Sequence, residues 1–322
     1  MGFVGGAAVW PLAPARAQQT GRVRRIGLLL ASAATDPQAQ LNVAAFTRAL
    51  EELGWKDNVR IDIRWAEAQS AGAQASAREL VELASDVIVV GGGGTTTAVG
   101  DQVRTTPIVF VGFTDPVAGG FVESLARPGR NMTGFTSIEF SVGGKWLEIL
   151  KGVAPGIARV TAIYNPETAP YGAQFLRWNK SVASSLDIDL AAIPIRDEAG
   201  INAAIAALGR EPGGGLMVLP DAFSSIHRHL IVALAAERRV PAIYPGRAYP
   251  MAGGLISYGV ELPYLFRQAA SYVDRILRGA RAGELPVQTP TKFELVINLK
   301  AAKLLGVDIP SALLATADEV IE

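Results

Sequence analysis

The chain has 322 residues, 49% of them hydrophobic and 19% charged, with 30 basic against 30 acidic side chains. That length suits two domains better than one core, and the apolar content excludes a disordered chain. A formally neutral chain with scattered basic residues has no field to draw in nucleic acid or an anionic membrane, and the absence of cysteine excludes disulfides, thiolate metal sites and cysteine nucleophiles.

At the N-terminus, an apolar run rich in Gly and Ala extends from Phe3 to Leu12 and is followed by Ala15-Arg16-Ala17 and Gln18-Gln19. This is the apolar region and small-x-small cleavage site of a secretory signal, without the basic residues that normally precede it. Residues 1–17 are therefore expected to be a signal peptide, and the mature chain to start near Gln18 in the periplasm. No later stretch supplies the ~20 apolar residues of a membrane span, so the protein is not expected to be membrane-spanning itself.

From Val23 onward, short apolar runs alternate with amphipathic stretches. Residues 25–30 read as a buried strand, and 37–53 as a helix with Leu41, Ala44, Ala45, Ala49 and Leu53 on one face and Gly54 as its stop. Strands follow at 59–65, 86–90, 107–111 and 132–135, with helices at 73–84, 95–104 and 117–125. A second series begins after a helix at 142–150. Its strands are expected at 160–164, 190–195, 216–219, 240–244, 255–258 and 293–297. Its helices are expected at 171–184, 199–208, 224–237, 262–277 and 299–305. Strands alternating with helices imply βαβ units and parallel sheets covered on both faces. The duplicated layout favours two lobes divided near 136–143.

In open α/β sheets small ligands sit beyond the C-terminal ends of the strands. Those ends hold Ser32, Thr95, Thr96, Phe113, Thr114 and Asp115 in the first series, and Tyr164, Asn165, Asp221, Phe223, Tyr244 and Arg247 in the second. Helix N-termini behind Thr95 and Asp115 would favour a carboxylate, aided by the hydroxyls of Thr95, Thr96 and Thr114. Asp221 would suit an amino group, the four aromatic rings a flat apolar body, and Arg247 is a second candidate for the carboxylate. For Thr95, Asp115, Asn165 and Asp221 helix capping is an equal alternative, and for each ring core packing is another. The glycines at 91–94 fail the G-x-G-x-x-G spacing, and no phosphate loop or nucleophile elbow is present. His227 and His229 stand two apart on a helix and make a poor metal pair. No catalytic set and no cofactor is expected.

The strings Pro107-Ile108-Val109-Phe110, Thr114-Asp115-Pro116-Val117 and 125–135 (LARPGRNMTGF) resemble a family of ABC-transporter substrate-binding proteins, some members of which are assigned to tryptophan or tyrosine import. So do 253–259 (GGLISYG), 272–277 (YVDRIL), 290–298 (PTKFELVIN) and 317–322 (ADEVIE). The resemblance implies a type I periplasmic binding protein fold, with two Rossmann-like lobes joined by several crossovers and closing on a small solute. It also implies a permease and an ATPase as partners. The expected lobes are 23–138 with part of 260–285, and 139–259 with part of 286–322, in a monomer. The expected function is delivery of an aromatic amino acid or other small carboxylate to an importer. A Rossmann-type enzyme and a sensory binding protein serving a receptor are the alternatives.

Overall fold

The computed structural model describes residues 22–66, 70–137, 139–210 and 212–322; the expected signal peptide lies outside them. The first series comprises β1 (Arg24–Leu30), α1 (Pro37–Glu52), β2 (Val59–Trp65), α2 (Ser70–Glu82), β3 (Val87–Gly91), α3 (Gly93–Gly100), β4 (Ile108–Val111) and β5 (Met132–Phe135). Its strands form a five-stranded, wholly parallel sheet in the order β2-β1-β3-β4-β5. The period of two is visible in the packing. Leu28, Val87, Val89, Val109 and Val111 feed one core, whereas Leu29, Ile88, Val90, Ile108 and Phe110 feed another on the opposite face. Such runs are apolar at every position because both faces are covered.

The second series comprises α4 (Val142–Val153), β6 (Arg159–Tyr164), α5 (Gly172–Ser185), β7 (Asp189–Pro194), α6 (Glu198–Leu208), β8 (Gly214–Val218), α7 (Ala222–Ile226), α8 (Arg228–Glu237), β9 (Ala242–Tyr244), α9 (Ala248–Met251) and β10 (Ile256–Val260). There follow α10 (Leu262–Leu277), β11 (Phe293–Asn298), α11 (Leu299–Leu305), α12 (Ser311–Leu314) and β12 (Glu319–Ile321). The second sheet has seven strands in the order β12-β11-β10-β9-β8-β6-β7, parallel except for the β10–β11 pair.

The chain passes between the sheets at three described places: from β5 into α4, from β10 into α10, and from the stretch after α10 into β11. The second passage is decided by packing. Leu265, Phe266, Ala269, Val273 and Ile276 of α10 bury against Phe46, Leu50 and the strands of the first sheet. Trp55 Nε1 also donates to Asp274 on α10 at 2.7 Å. Glu261, at the start of one passage, pairs with Lys292, at the end of another, at 2.5 Å.

Four local expectations change. The first helix buries Phe46, Ala49 and Leu50, and Leu41, Ala44 and Leu53, expected on its apolar face, are exposed. Residues 117–125 form turns rather than a helix. Asp115 accepts from Ala118 N and starts one helical turn, but Gly120 turns left-handed at φ +71° and stops it. The expected helix 224–237 breaks at His227, which ends α7 and begins α8. The expected helix 95–104 starts two residues earlier, at Gly93, and ends at Gly100.

Candidate functional site

Asp221 lies in the loop at the C-terminal end of β8, among the strand-end residues expected to line a site. It follows β8 and is the N-cap of α7, as its sequence position allowed. Its carboxylate is only 7% exposed. Oδ1 accepts from Ser224 N at 2.6 Å and from Thr168 Oγ1 at 3.3 Å. Oδ2 accepts from Ser224 Oγ at 2.8 Å and from Asn165 N at 3.3 Å. Burial raises the Asp221 carboxyl above the ordinary carboxylate range, and these donors offset part of that rise. The described groups that donate to it are all neutral. The side chain therefore holds a buried negative charge without a described counter-cation, a situation that costs free energy until a cation arrives.

Asn165 supports the same corner. Its side-chain carbonyl accepts from Glu167 N at 2.9 Å and Thr168 N at 3.3 Å, fixing a turn after β6 rather than capping a helix. Tyr171 closes the corner. Its hydroxyl donates to Pro220 O, and its ring stacks on Phe140 with centroids 5.8 Å apart. Burial holds the Tyr171 hydroxyl well above the usual phenol range, the Asp221 charge adds to this, and the Thr114 hydroxyl works against it. Tyr171 thus lies where the sheets meet, near Asp221 on one side and Thr114 on the other. Thr114 itself shares a 3.1 Å hydrogen bond with Ser137 at the first crossover.

The loop after β3 supplies a different chemistry. Gly92 is the N-cap of α3 at φ +99° and offers no side chain to its N–H groups. By contrast α1, α6, α7 and α11 are each capped by the side chain of Asp36, Asp197, Asp221 or Asn298. Thr95 and Thr96, expected as anion-binding hydroxyls, are buried inside α3 and donate back to carbonyls. Thr95 Oγ1 reaches Gly91 O at 2.8 Å, and Thr96 Oγ1 reaches Gly92 O at 2.8 Å. What remains for an anion here is backbone N–H, not hydroxyl.

The aromatic residues separate. Tyr244 is 1% exposed and stacks on Tyr249 at 4.9 Å, which makes it core. Phe113 is half-buried and meets Phe110 and Phe121 edge-on at 5.9 and 5.5 Å. Tyr164 packs over Gly172, where a Cβ would lie 2.4 Å from its ring. Phe223 is half-buried and lies 4.4 Å from the His227 ring. Ser32 is half-buried at the end of β1. Thr168, Tyr171, Ser137 and Ser224 were not singled out in the sequence. The Asp221-x-x-Ser224 spacing of a helix cap was the one local signal among them.

Arg247 is engaged elsewhere. Its guanidinium pairs with Glu294 at 3.1 Å and with Glu319, so it is held at the β9–β11–β12 edge and is not free for a ligand carboxylate. Burial raises the Glu294 carboxyl to about 7; Arg247 pulls it back, and Glu261, Asp318 and Glu319 push it further up. An acid whose folded pKa exceeds its unfolded value of about 4.5 contributes stability that is complete below the lower value and declines as pH rises through the higher one. Urea unfolding should therefore give a free energy about 2 kcal/mol lower at pH 8 than at pH 5 from this group. Glu294→Gln should remove that component. A variant with the wild-type pH profile would show that Glu294 does not titrate in this range.

The comparisons address family and fold. Residues 31–321 match the model of a family described as ABC transporter substrate binding protein. A tyrosine-binding protein of Clostridioides difficile (strain R20291) is 28% identical over 269 residues, which is 83% of this chain and 77% of that one. A solved ABC domain from Streptococcus pneumonia in complex with L-Trp superposes with a TM-score of 0.83 at 22% identity, covering 92% of this chain and 99% of that one. The ligand-free, open structure of a substrate binding protein with adhesive properties from Clostridium difficile superposes with a TM-score of 0.71 at 25% identity, covering 93% and 99%. The two parallel-dominated sheets are those of a type I periplasmic binding protein, and no helix among the described residues is long and apolar enough to cross a membrane. The chain belongs to the ABC transporter substrate-binding protein family.

Proposed function

We propose that this protein binds an α-amino acid with an aromatic side chain between its two lobes and presents it to the permease and ATPase of an ABC importer. The observation that carries this reading is the buried Asp221 carboxylate, which four neutral donors orient and no described cation neutralises. A ligand ammonium supplies the missing charge. The ligand carboxylate takes the open N–H groups of Gly93 and Gly94 at the uncapped start of α3. Phe113 and Phe223, half-buried on opposite lobes, flank the side chain. The L-Trp complex and the tyrosine-binding relative support the same ligand class. The lobes are 23–138 with part of 260–285, and 139–259 with part of 286–322. The chain works as a monomer in the periplasm after cleavage behind Ala17.

A thermal-shift panel of amino acids, sugars and polyols tests the ligand class. A ligand at 100 times its Kd adds ~2.7 kcal/mol, which raises Tm by about 4 °C in a chain of this size. Tyrosine or tryptophan should produce that shift. Sugars shifting Tm while no amino acid does would overturn the proposal.

A further inference from the structure

One described ion pair joins the first lobe to the start of α8, the helix that follows the one Asp221 caps. Arg228 Nη2 lies 3.0 Å from Asp36 Oδ2, and the two side chains are 26% and 18% exposed. Asp36 is the N-cap of α1, four residues beyond Ser32, and its other oxygen accepts from Ala39 N at 3.0 Å. Arg228 opens α8, seven residues beyond Asp221, and its Nη1 donates to Ser225 O at 3.1 Å. Each partner is thus held in place by its own lobe before the two meet, so little side-chain freedom is lost when they pair.

We infer that Asp36 and Arg228 form a latch across the mouth of the cleft that populates the closed form before solute arrives. The latch is tied to the site through α7. Asp221 caps its N-terminus, and Arg228 holds the carbonyl of Ser225 in the same short helix. Apparent affinity equals intrinsic affinity multiplied by the fraction of competent protein, so a latch that favours closure tightens binding of any solute without touching it. The inference rests on the reading that solute binds between the lobes, and its primary readout needs no solute.

The chain has no cysteine, so spin labels can be placed at two engineered positions without background. Ala44→Cys on α1 and Ala203→Cys on α6 are exposed and lie on opposite lobes. Pulsed-EPR distances in ligand-free protein at low salt should show a short-distance population. Arg228→Gln and Asp36→Asn should each reduce its ratio to the long-distance population by about five-fold, the scale of a partly shielded ion pair. Asparagine retains the α1 cap, so the second variant remains folded. The double variant should lose no more than either single one, and 0.5 M NaCl should reproduce the effect in the parent. Glu52→Gln breaks an exposed pair with Arg267 within the first lobe and should change nothing. A ligand-free parent with only the long distance, or single variants with the parent ratio, would overturn the latch. L-tyrosine failing to shorten the distance in every protein would count against the ligand assignment alone.

Discussion

Asp221→Asn is expected to weaken binding of the cognate amino acid by roughly 100-fold, about 3 kcal/mol, because it removes the charge from a buried charge pair. Asparagine keeps a side-chain oxygen for Ser224 N, whose bond to Asp221 is 2.6 Å in the parent, so the start of α7 should persist. The two effects separate by measurement. Calorimetry on the variant should show the drop in affinity, while circular dichroism stays close to the parent and urea unfolding changes by only ~1 kcal/mol for the lost acceptor of Asn165 N. The sign of the pH effect follows from the raised Asp221 carboxyl. Ligand-free stability from this group is present when the carboxyl is protonated and declines as pH rises through its folded pKa, and the ammonium-bound form reverses that dependence. A variant that binds within three-fold of the parent would reduce Asp221 to a helix cap.

The second large effect is on stability. Gly259→Ala should destabilise the fold by about 3 kcal/mol or more. A Cβ built at Gly259 lies 1.8 Å from Pro245 O and 2.6 Å from its carbonyl carbon. These are backbone atoms, so no rotamer change relieves the clash, and β10 would have to separate from the end of β9. Gly259 also sits two residues before the passage at Glu261, so the distortion would reach the connection between the lobes. Gly152→Ala is the matched control. Gly152 lies in α4 with open space around its Cα, and alanine there should stabilise by up to ~1 kcal/mol. A Gly259 variant within 1 kcal/mol of the parent would contradict the close approach.

The parts of the fold that could be read in the sequence are those written in local periodicity. β3, β4 and β8 are unbroken apolar runs between turn residues, and α10 shows one apolar face over four turns, whereas α1 was legible as a helix but not in the face it buries. The short elements could not be read. α9 and α12 have four residues each and β12 three, too few for any period to register, and they form where neighbours supply their contacts. A helix was expected at 117–125, yet Gly120, left-handed at φ +71°, ends the first turn.

Asp221, the anchor proposed for the site, was legible in the sequence, and its surroundings were not. Asp221 stood out by its place at a strand end, but its partners Asn165 and Thr168 are 56 and 53 residues away. Arg247 looked equally available. Its two carboxylate partners are 47 and 72 residues further along the chain, and only the β9–β10–β11–β12 order brings them together. Whether a charge is spent or free is a property of tertiary pairing, so residue type and strand-end position alone could not separate Asp221 from Arg247.

The most direct test of the central claim is a calorimetric titration of the parent protein with L-tyrosine, L-tryptophan and the same two molecules lacking the α-amino group. At least one amino acid should bind with one-to-one stoichiometry, and its deaminated counterpart should bind roughly 100-fold more weakly, because only the ammonium can neutralise Asp221. Equal affinity for the two would contradict the account.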